Sequence, residues 1–169
     1  ISLCPWWESD SVRHSTEAQL AVDASRPRKH WMWIHHEPPH GSRTSWTGHA
    51  DAGTPVLTSW IRQYKPDLVL SGHIHQAPFK EAGGWFDRID GTWVFNAGCY
   101  GAAEPPFIVL DLDQGRAEWI SAAGHEHVDL DLASRPTRVP GSPEVEADSP
   151  APHPPFPGDP PVPDIGASN

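Results

Sequence analysis

Histidines follow two apolar segments of the chain, at the positions where each segment would end as a β-strand. His35 and His36 come directly after the run WMWI, and His73 and His75 follow the run LVLSG. Ligands bind beyond the carboxyl ends of strands in open α/β sheets, so we expect the two groups to lie close together. Residues two apart in an extended segment point to the same side, and imidazole suits Mn, Fe and Zn ions. The pattern therefore predicts a transition-metal site.

A third apolar segment, TWVFN, ends in Asn96 and is followed by small residues. A parallel strand here would bring Asn96 to the same edge of the sheet as the histidines. Each of these residues also has a simpler interpretation. The histidines would then hydrogen-bond to backbone at strand ends, and Asn96 would close a turn through its side chain.

Three segments resemble motifs of the calcineurin-like metallophosphoesterases. WIHHEPPHG is similar to the strand–His–His–Pro–Pro segment of that superfamily, LVLSGHIH to its G-H-x-H motif, and VFNAGCYG to the Asn-x-Gly-Ser strand end that follows. The order of the three segments agrees with the family, and the resemblance covers roughly residues 30 to 112. Cys99 stands where Ser is usual, and Glu37 departs from the common His-His-Pro-Pro sequence.

The resemblance implies an α/β fold, namely the C-terminal half of a four-layer α/β/β/α sandwich with two mixed sheets. It implies hydrolysis of phosphomonoesters or phosphodiesters at two divalent metal ions, Mn, Fe or Zn. The implied metal ligands are His35, His73 and His75, whereas His36 and Asn96 would contact the substrate. Glu37 leaves the choice between His35 and His36 open. The substrate is also open, because specificity lies in inserted loops, here residues 37–53 and 76–92.

Three further motifs that the family needs do not occur in the chain: D-x-H, G-D-x-x-[DN] and G-N-H-[DE] at strand ends. They would supply the bridging aspartate, an asparagine ligand and the histidine that protonates the leaving group. We therefore expect a fragment of a longer protein, with an incomplete site and no activity of its own. The alternative is a non-catalytic interaction module that keeps the fold.

Composition and charge limit the possible partners. The 169 residues carry a formal net charge of −10, which argues against a non-specific nucleic-acid binder. A phosphoester substrate remains compatible, because metal ions supply local positive charge. We expect no membrane span, since no apolar run approaches about 20 residues. Two cysteines, without a disulfide framework, are compatible with a reducing compartment, and we expect the cytoplasm.

The elements that must position the histidines follow from apolar periodicity and turn residues. Trp31 and Trp33 share one strand face and are expected to fill the space between sheet and helix. The strand over 31–35 is expected to be buried on both faces. The first predicted helix spans 15–24 and is capped by Ser15. The second begins at Thr54-Pro55 and is stopped by Pro66. The predicted strands span 1–3, 31–35, 68–70, 93–96, 107–112 and 117–121.

The chain divides into two parts by composition. Residues 1–134 are predicted to form the partial metallophosphoesterase domain. Residues 135–169 are dense in Pro, Gly, Ser, Asp and Glu, and we expect a disordered acidic tail. In the alternative function, the PxxP patterns of this tail would bind a partner.

Overall fold

The described part of the chain contains two α-helices, two short 3-10 helices (Arg43–Ser45 and Ala77–Phe79), a five-stranded sheet and a three-stranded sheet. The computed structural model describes residues 1–7, 9–99, 101 and 104–132; the tail predicted over 135–169 lies outside this part. The elements are β1 (Ser2–Cys4), α1 (Asp10–Ala24), β2 (Met32–His35), α2 (Pro55–Tyr64), β3 (Leu68–Ser71), β4 (Phe86–Ile89), β5 (Thr92–Asn96), β6 (Phe107–Asp111), β7 (Arg116–Ser121) and β8 (Gly124–Asp129).

The larger sheet is mixed and has the order β1-β2-β3-β5-β4. Strands β1, β2, β3 and β5 are parallel, and β4 pairs with β5 in antiparallel fashion. The smaller sheet is antiparallel, with the order β6-β7-β8. The mixed α/β class predicted from the sequence is therefore confirmed. Neither helix in the described residues is long and apolar enough to cross a membrane.

Side chains that alternate along the strands of the larger sheet separate two cores. Trp33, Val69 and Val94 pack with Leu57 and Trp60 in the core beside the helices. The neighbouring positions on the same strands contribute to a second core with the smaller sheet, which includes Leu68, Phe95, Ala117 and Trp119. Three layers result: helices, the larger sheet and the smaller sheet. The predicted place of Trp31 and Trp33 between sheet and helix is confirmed.

Strand β2 is not buried on both faces, contrary to the prediction. The second core lies over β3, β5 and β4 and reaches β2 only at Met32, so that Ile34 on β2 and Leu3 on β1 stay uncovered. Leu3 is 70% exposed and Ile34 is 40% exposed, although the two residues are paired in the sheet. A continuous apolar run therefore did not mean burial on both sides.

The start of one helix and the presence of two strands also differ from the prediction. Helix α1 begins at Asp10 rather than Ser15, because the Ser9 side chain accepts a hydrogen bond from Val12 N and caps the helix. Strand β4 was not predicted, because it has only four residues and follows Gly83 and Gly84, which indicate a turn. Its alternation of buried and exposed side chains is too short to be recognised in the sequence. Strand β8 was not predicted either, since it contains little apolar sequence and depends on backbone pairing with β7.

Candidate metal and substrate site

The carboxyl ends of β2, β3 and β5 lie at one edge of the larger sheet, because these strands are parallel. His36 follows β2, His73 follows β3 after Gly72, and Asn96 is the last residue of β5. A hydrogen bond of 3.0 Å from Gly72 N to His36 O connects the first two segments. The sheet therefore brings these three sequence-predicted residues to one edge.

His36 and His73 are in direct contact. The distance from His36 Nε2 to His73 Nδ1 is 2.9 Å, and the two ring centroids are 4.8 Å apart. One of the two nitrogens donates a hydrogen bond to the other when no ion lies between them. With metal–nitrogen bonds of about 2.0–2.1 Å, two imidazoles on one ion have nitrogens only about 3–3.4 Å apart. The 2.9 Å separation of the two nitrogens is thus close to that of two imidazoles on one ion.

The segment from Gly72 to Gln76 is not extended, so the predicted reason for His73 and His75 to share a side is wrong. His73 has a φ of +60°, in the left-handed region, and Ile74 N donates a 2.6 Å hydrogen bond to Gly72 O. Ile74 is buried, whereas both histidines are exposed. The anchored Ile74 side chain, rather than strand periodicity, leaves His73 and His75 facing solvent.

His35 lies beneath the edge and does not contact His73. It is only 4% exposed, its ring stacks on Trp7 with centroids 4.5 Å apart, and its Nδ1 donates to Cys4 O at 2.8 Å. Burial lowers the pKa of His35, although the hydrogen bond to Cys4 and the Glu37 carboxylate act in the opposite direction. The ring is therefore neutral at pH 7, with its lone pair on Nε2. The ligand role of His35 stays a prediction.

Asn96 uses its amide group inside the protein. It is 1% exposed, and its Nδ2 donates to Thr44 O and Ile74 O, both at 2.9 Å. Its Oδ1 accepts a hydrogen bond from Gly98 N at 2.9 Å. Asn96 thereby connects the loops after β2, β3 and β5, and its contact with substrate stays a prediction.

The loop after β2 is built around a buried carboxylate that the sequence did not indicate. The Asp51 side chain is 3% exposed and lies 2.9 Å from His40 Nδ1. It also accepts hydrogen bonds from Gly41 N, Ser45 Oγ and Gly53 N. These bonds hold the predicted specificity loop in a defined shape.

Two tryptophans that follow β1 belong to the site and were missed from the sequence. Trp6 stacks on His36 with centroids 4.7 Å apart and lies edge-on to His73 at 5.6 Å, while Trp7 covers His35. The sequence offered one signal for them, because Trp6 and Trp7 come shortly after a predicted strand. The histidines were identified from the same kind of position.

His36 and His73 bring two imidazole nitrogens to within 2.9 Å of each other, and His35 lies beneath them. Imidazole is a ligand that Mn, Fe and Zn ions accept. Within residues 1–7, 9–99, 101 and 104–132, however, no group of three His, Cys, Asp or Glu side chains is placed to hold an ion. The described residues therefore do not by themselves form a two-metal site.

Comparisons with known proteins give fold-level matches only. No protein-family model and no curated protein matches the chain. One crystal structure aligns with 70% of this chain and 40% of its own, at 19% identity and a TM-score of 0.42. The crystal structure of TT1561 of Thermus thermophilus aligns with 70% of this chain and 41% of its own, at 17% identity and a TM-score of 0.36. The chain thus spans less than half the length of either structure.

Proposed function

We propose that the chain is part of a metal-dependent phosphoester hydrolase. The observation that carries the proposal is the 2.9 Å contact between His36 Nε2 and His73 Nδ1 at the carboxyl edge of the parallel strands. Neutral imidazole is a common transition-metal ligand, and this edge is where open α/β sheets bind their ligands. The resemblance of the segment around His73 to the G-H-x-H motif also implies that His73 is a metal ligand.

In this proposal His36 takes the ligand position that the sequence left open between His35 and His36. His73 is its partner, and His75 is the candidate ligand for the second ion. His35 supports the site from below, because its Nδ1–H is bonded to Cys4 O and its ring is held by Trp7. When bound, divalent ions polarise the phosphoryl group and make water a stronger nucleophile.

The proposed architecture is the four-layer α/β/β/α sandwich, of which the helices and the two sheets would be three layers. The uncovered face of β1 and β2 supports this proposal, since apolar Leu3 and Ile34 lie where further polypeptide would pack. Activity is proposed for the complete protein. The described residues include no carboxylate placed with the histidines to hold a second ion, so we propose that this chain alone does not hydrolyse phosphoesters.

Metal binding tests the proposal. The purified chain should bind Zn²⁺ or Mn²⁺ in equilibrium dialysis followed by elemental analysis, and His36→Ala and His73→Ala should each weaken binding at least about tenfold. His127→Ala is the matched control, because His127 is also exposed but lies on the smaller sheet. Equal binding by all four proteins would assign the metal to another place and contradict the proposal.

A further inference from the structure

Trp6 contacts both histidines of the candidate site. Its ring stacks on the His36 ring, with centroids 4.7 Å apart and planes 30° apart, and it lies edge-on to His73 at 5.6 Å. Because the two imidazoles are themselves 4.8 Å apart, each of the three rings contacts the other two. The cluster is built from the segments that follow β1, β2 and β3, three neighbouring strands of the larger sheet.

The stacking of Trp6 on His36 is compatible with metal coordination by the imidazole. Stacking occupies the face of a ring, whereas an ion binds a nitrogen lone pair in the plane of the ring. His36 Nε2 therefore keeps its direction toward His73 Nδ1, 2.9 Å away, while Trp6 lies against the face of the His36 ring. Both histidines are exposed, and an exposed side chain without such a contact changes rotamer freely. The indole restricts that freedom before any ion binds.

We propose that Trp6 is a positioning residue of the metal site: it holds the His36 ring with Nε2 directed at His73 and thereby raises the affinity of the pair for a transition metal. This inference rests on the proposed function, because it requires His36 and His73 to be ligands. A ligand held in its bound orientation loses less conformational entropy when the ion binds. An imidazole bound to a cation also carries more positive charge, which the face of an indole attracts. Both effects strengthen binding.

Calorimetric titration of the purified chain with Zn²⁺ tests the inference. Trp6→Ala should weaken Zn²⁺ binding about tenfold, the lower end of the loss usual when a residue that orients a metal ligand is removed. Trp6→Phe should recover most of this loss. Trp6→Leu fills part of the same space without an aromatic face and should resemble Trp6→Ala. Phe107→Ala is the control, because Phe107 is 50% exposed, close to the 51% of Trp6, but lies on the smaller sheet.

The visible absorption of bound Co²⁺ gives a second readout, which reports the geometry of the ligands rather than the stability of the fold. At saturating Co²⁺, Trp6→Phe should give the spectrum of the unsubstituted chain, because the His36 ring is still held by an aromatic face. Trp6→Leu should give an altered band. The comparison of Trp6→Phe with Trp6→Leu decides the inference even if Trp6→Ala does not fold.

The remaining outcomes separate the inference from the proposed function. Zn²⁺ binding by Trp6→Ala and Trp6→Leu that is as tight as in the unsubstituted chain would overturn the positioning role and leave the metal site standing. Equal affinities of Trp6→Phe and Trp6→Leu would also overturn it, because the aromatic face would then make no difference. If the unsubstituted chain binds no Zn²⁺, the proposed function loses its metal site and the inference fails with it.

Discussion

The contact between His36 and His73 depends on an unusual backbone conformation at one residue. His73 has a φ of +60°, a region that costs a non-glycine residue about 1 kcal/mol or more. The strained residue is also a candidate ligand, and strain of this kind often accompanies function.

This strain predicts different stabilities for two substitutions of His73. His73→Gly should be more stable than His73→Ala by about 1 kcal/mol, because glycine adopts positive φ without steric cost. Urea unfolding of the two variants measures the difference. Equal stability would mean that His73 does not keep its left-handed conformation in solution.

Asn96 should matter more for stability than its polar side chain suggests. Asn96→Ala removes bonds to Thr44 O, Ile74 O and Gly98 N in a buried place, and should lower the free energy of unfolding by about 3 kcal/mol. Chemical denaturation tests this, with Gln63→Ala on the exposed face of α2 as a control that should change it by less than about 0.5 kcal/mol. A small effect of Asn96→Ala would mean that these three hydrogen bonds contribute little to stability.

At the scale of elements, helix α2 ends with a residue in the left-handed conformation. The helix ends at Tyr64, and Lys65 is left-handed with φ of 49° while its N–H bonds to Ile61 O. Pro66 follows and cannot continue the helix. The sequence located this end through Pro66, but the left-handed cap at Lys65 carries no recognisable signal.

Lys65→Gly should therefore stabilise the protein by about 0.5–1 kcal/mol, because glycine is the preferred residue at a left-handed helix end. The same change two positions earlier, Gln63→Gly, should destabilise it by about 1 kcal/mol, since that position is helical. Thermal unfolding of both variants gives the signs directly. Two changes of the same sign would contradict the assigned helix end.

The strands in the middle of the sheet were predictable because they are buried apolar runs. Segments 68–70 and 93–96 carry continuous apolar sequence and form β3 and β5 within one residue of their predicted starts and ends. Strand β8 was not predictable, since GHEHVD has no apolar period and is held by pairing with β7. Strand propensity depends on the partner strand and on side-chain packing, so a polar segment such as this one carries little local signal of its own.

The candidate site was predictable in its location but not in its contacts. Strand ends brought His36, His73 and Asn96 to one edge as expected. Which histidine contacts which was not predictable, because it depends on the bend at His73 and on the burial of His35 under Trp7. Side-chain partners of this kind follow from the assembled fold.

At the scale of the whole molecule, charged contacts connect the smaller sheet to the larger one. Arg88 on β4 donates to both oxygens of Asp131 at 2.8 and 2.7 Å, and Trp93 Nε1 donates to the same carboxylate at 3.2 Å. The Arg88 guanidinium also lies over the Trp93 ring at 4.9 Å. The segment after β8 is thereby held against β4 and β5, next to the core residues Leu130 and Leu132.

These contacts predict a loss of stability in acid. Partial burial raises the pKa of Asp131, but the Arg88 and Trp93 interactions outweigh it, so the pKa in the folded protein is lowered. The folded state thus favours the ionised carboxylate. The stabilisation is present above the unfolded pKa of about 3.9 and is lost as the pH falls through the lower folded value.

Asp131→Asn should therefore lower the free energy of unfolding at pH 7 and have a smaller effect at pH 2.5, where protonation of the unsubstituted side chain removes part of the difference. Urea unfolding of both proteins at the two pH values measures it. Asp113→Asn is the control, because Asp113 is 96% exposed and pairs only loosely with Lys29 at 3.7 Å. If Asp131→Asn were equally costly at both pH values, its effect would come from lost packing or hydrogen bonding, and charge would not connect the two sheets.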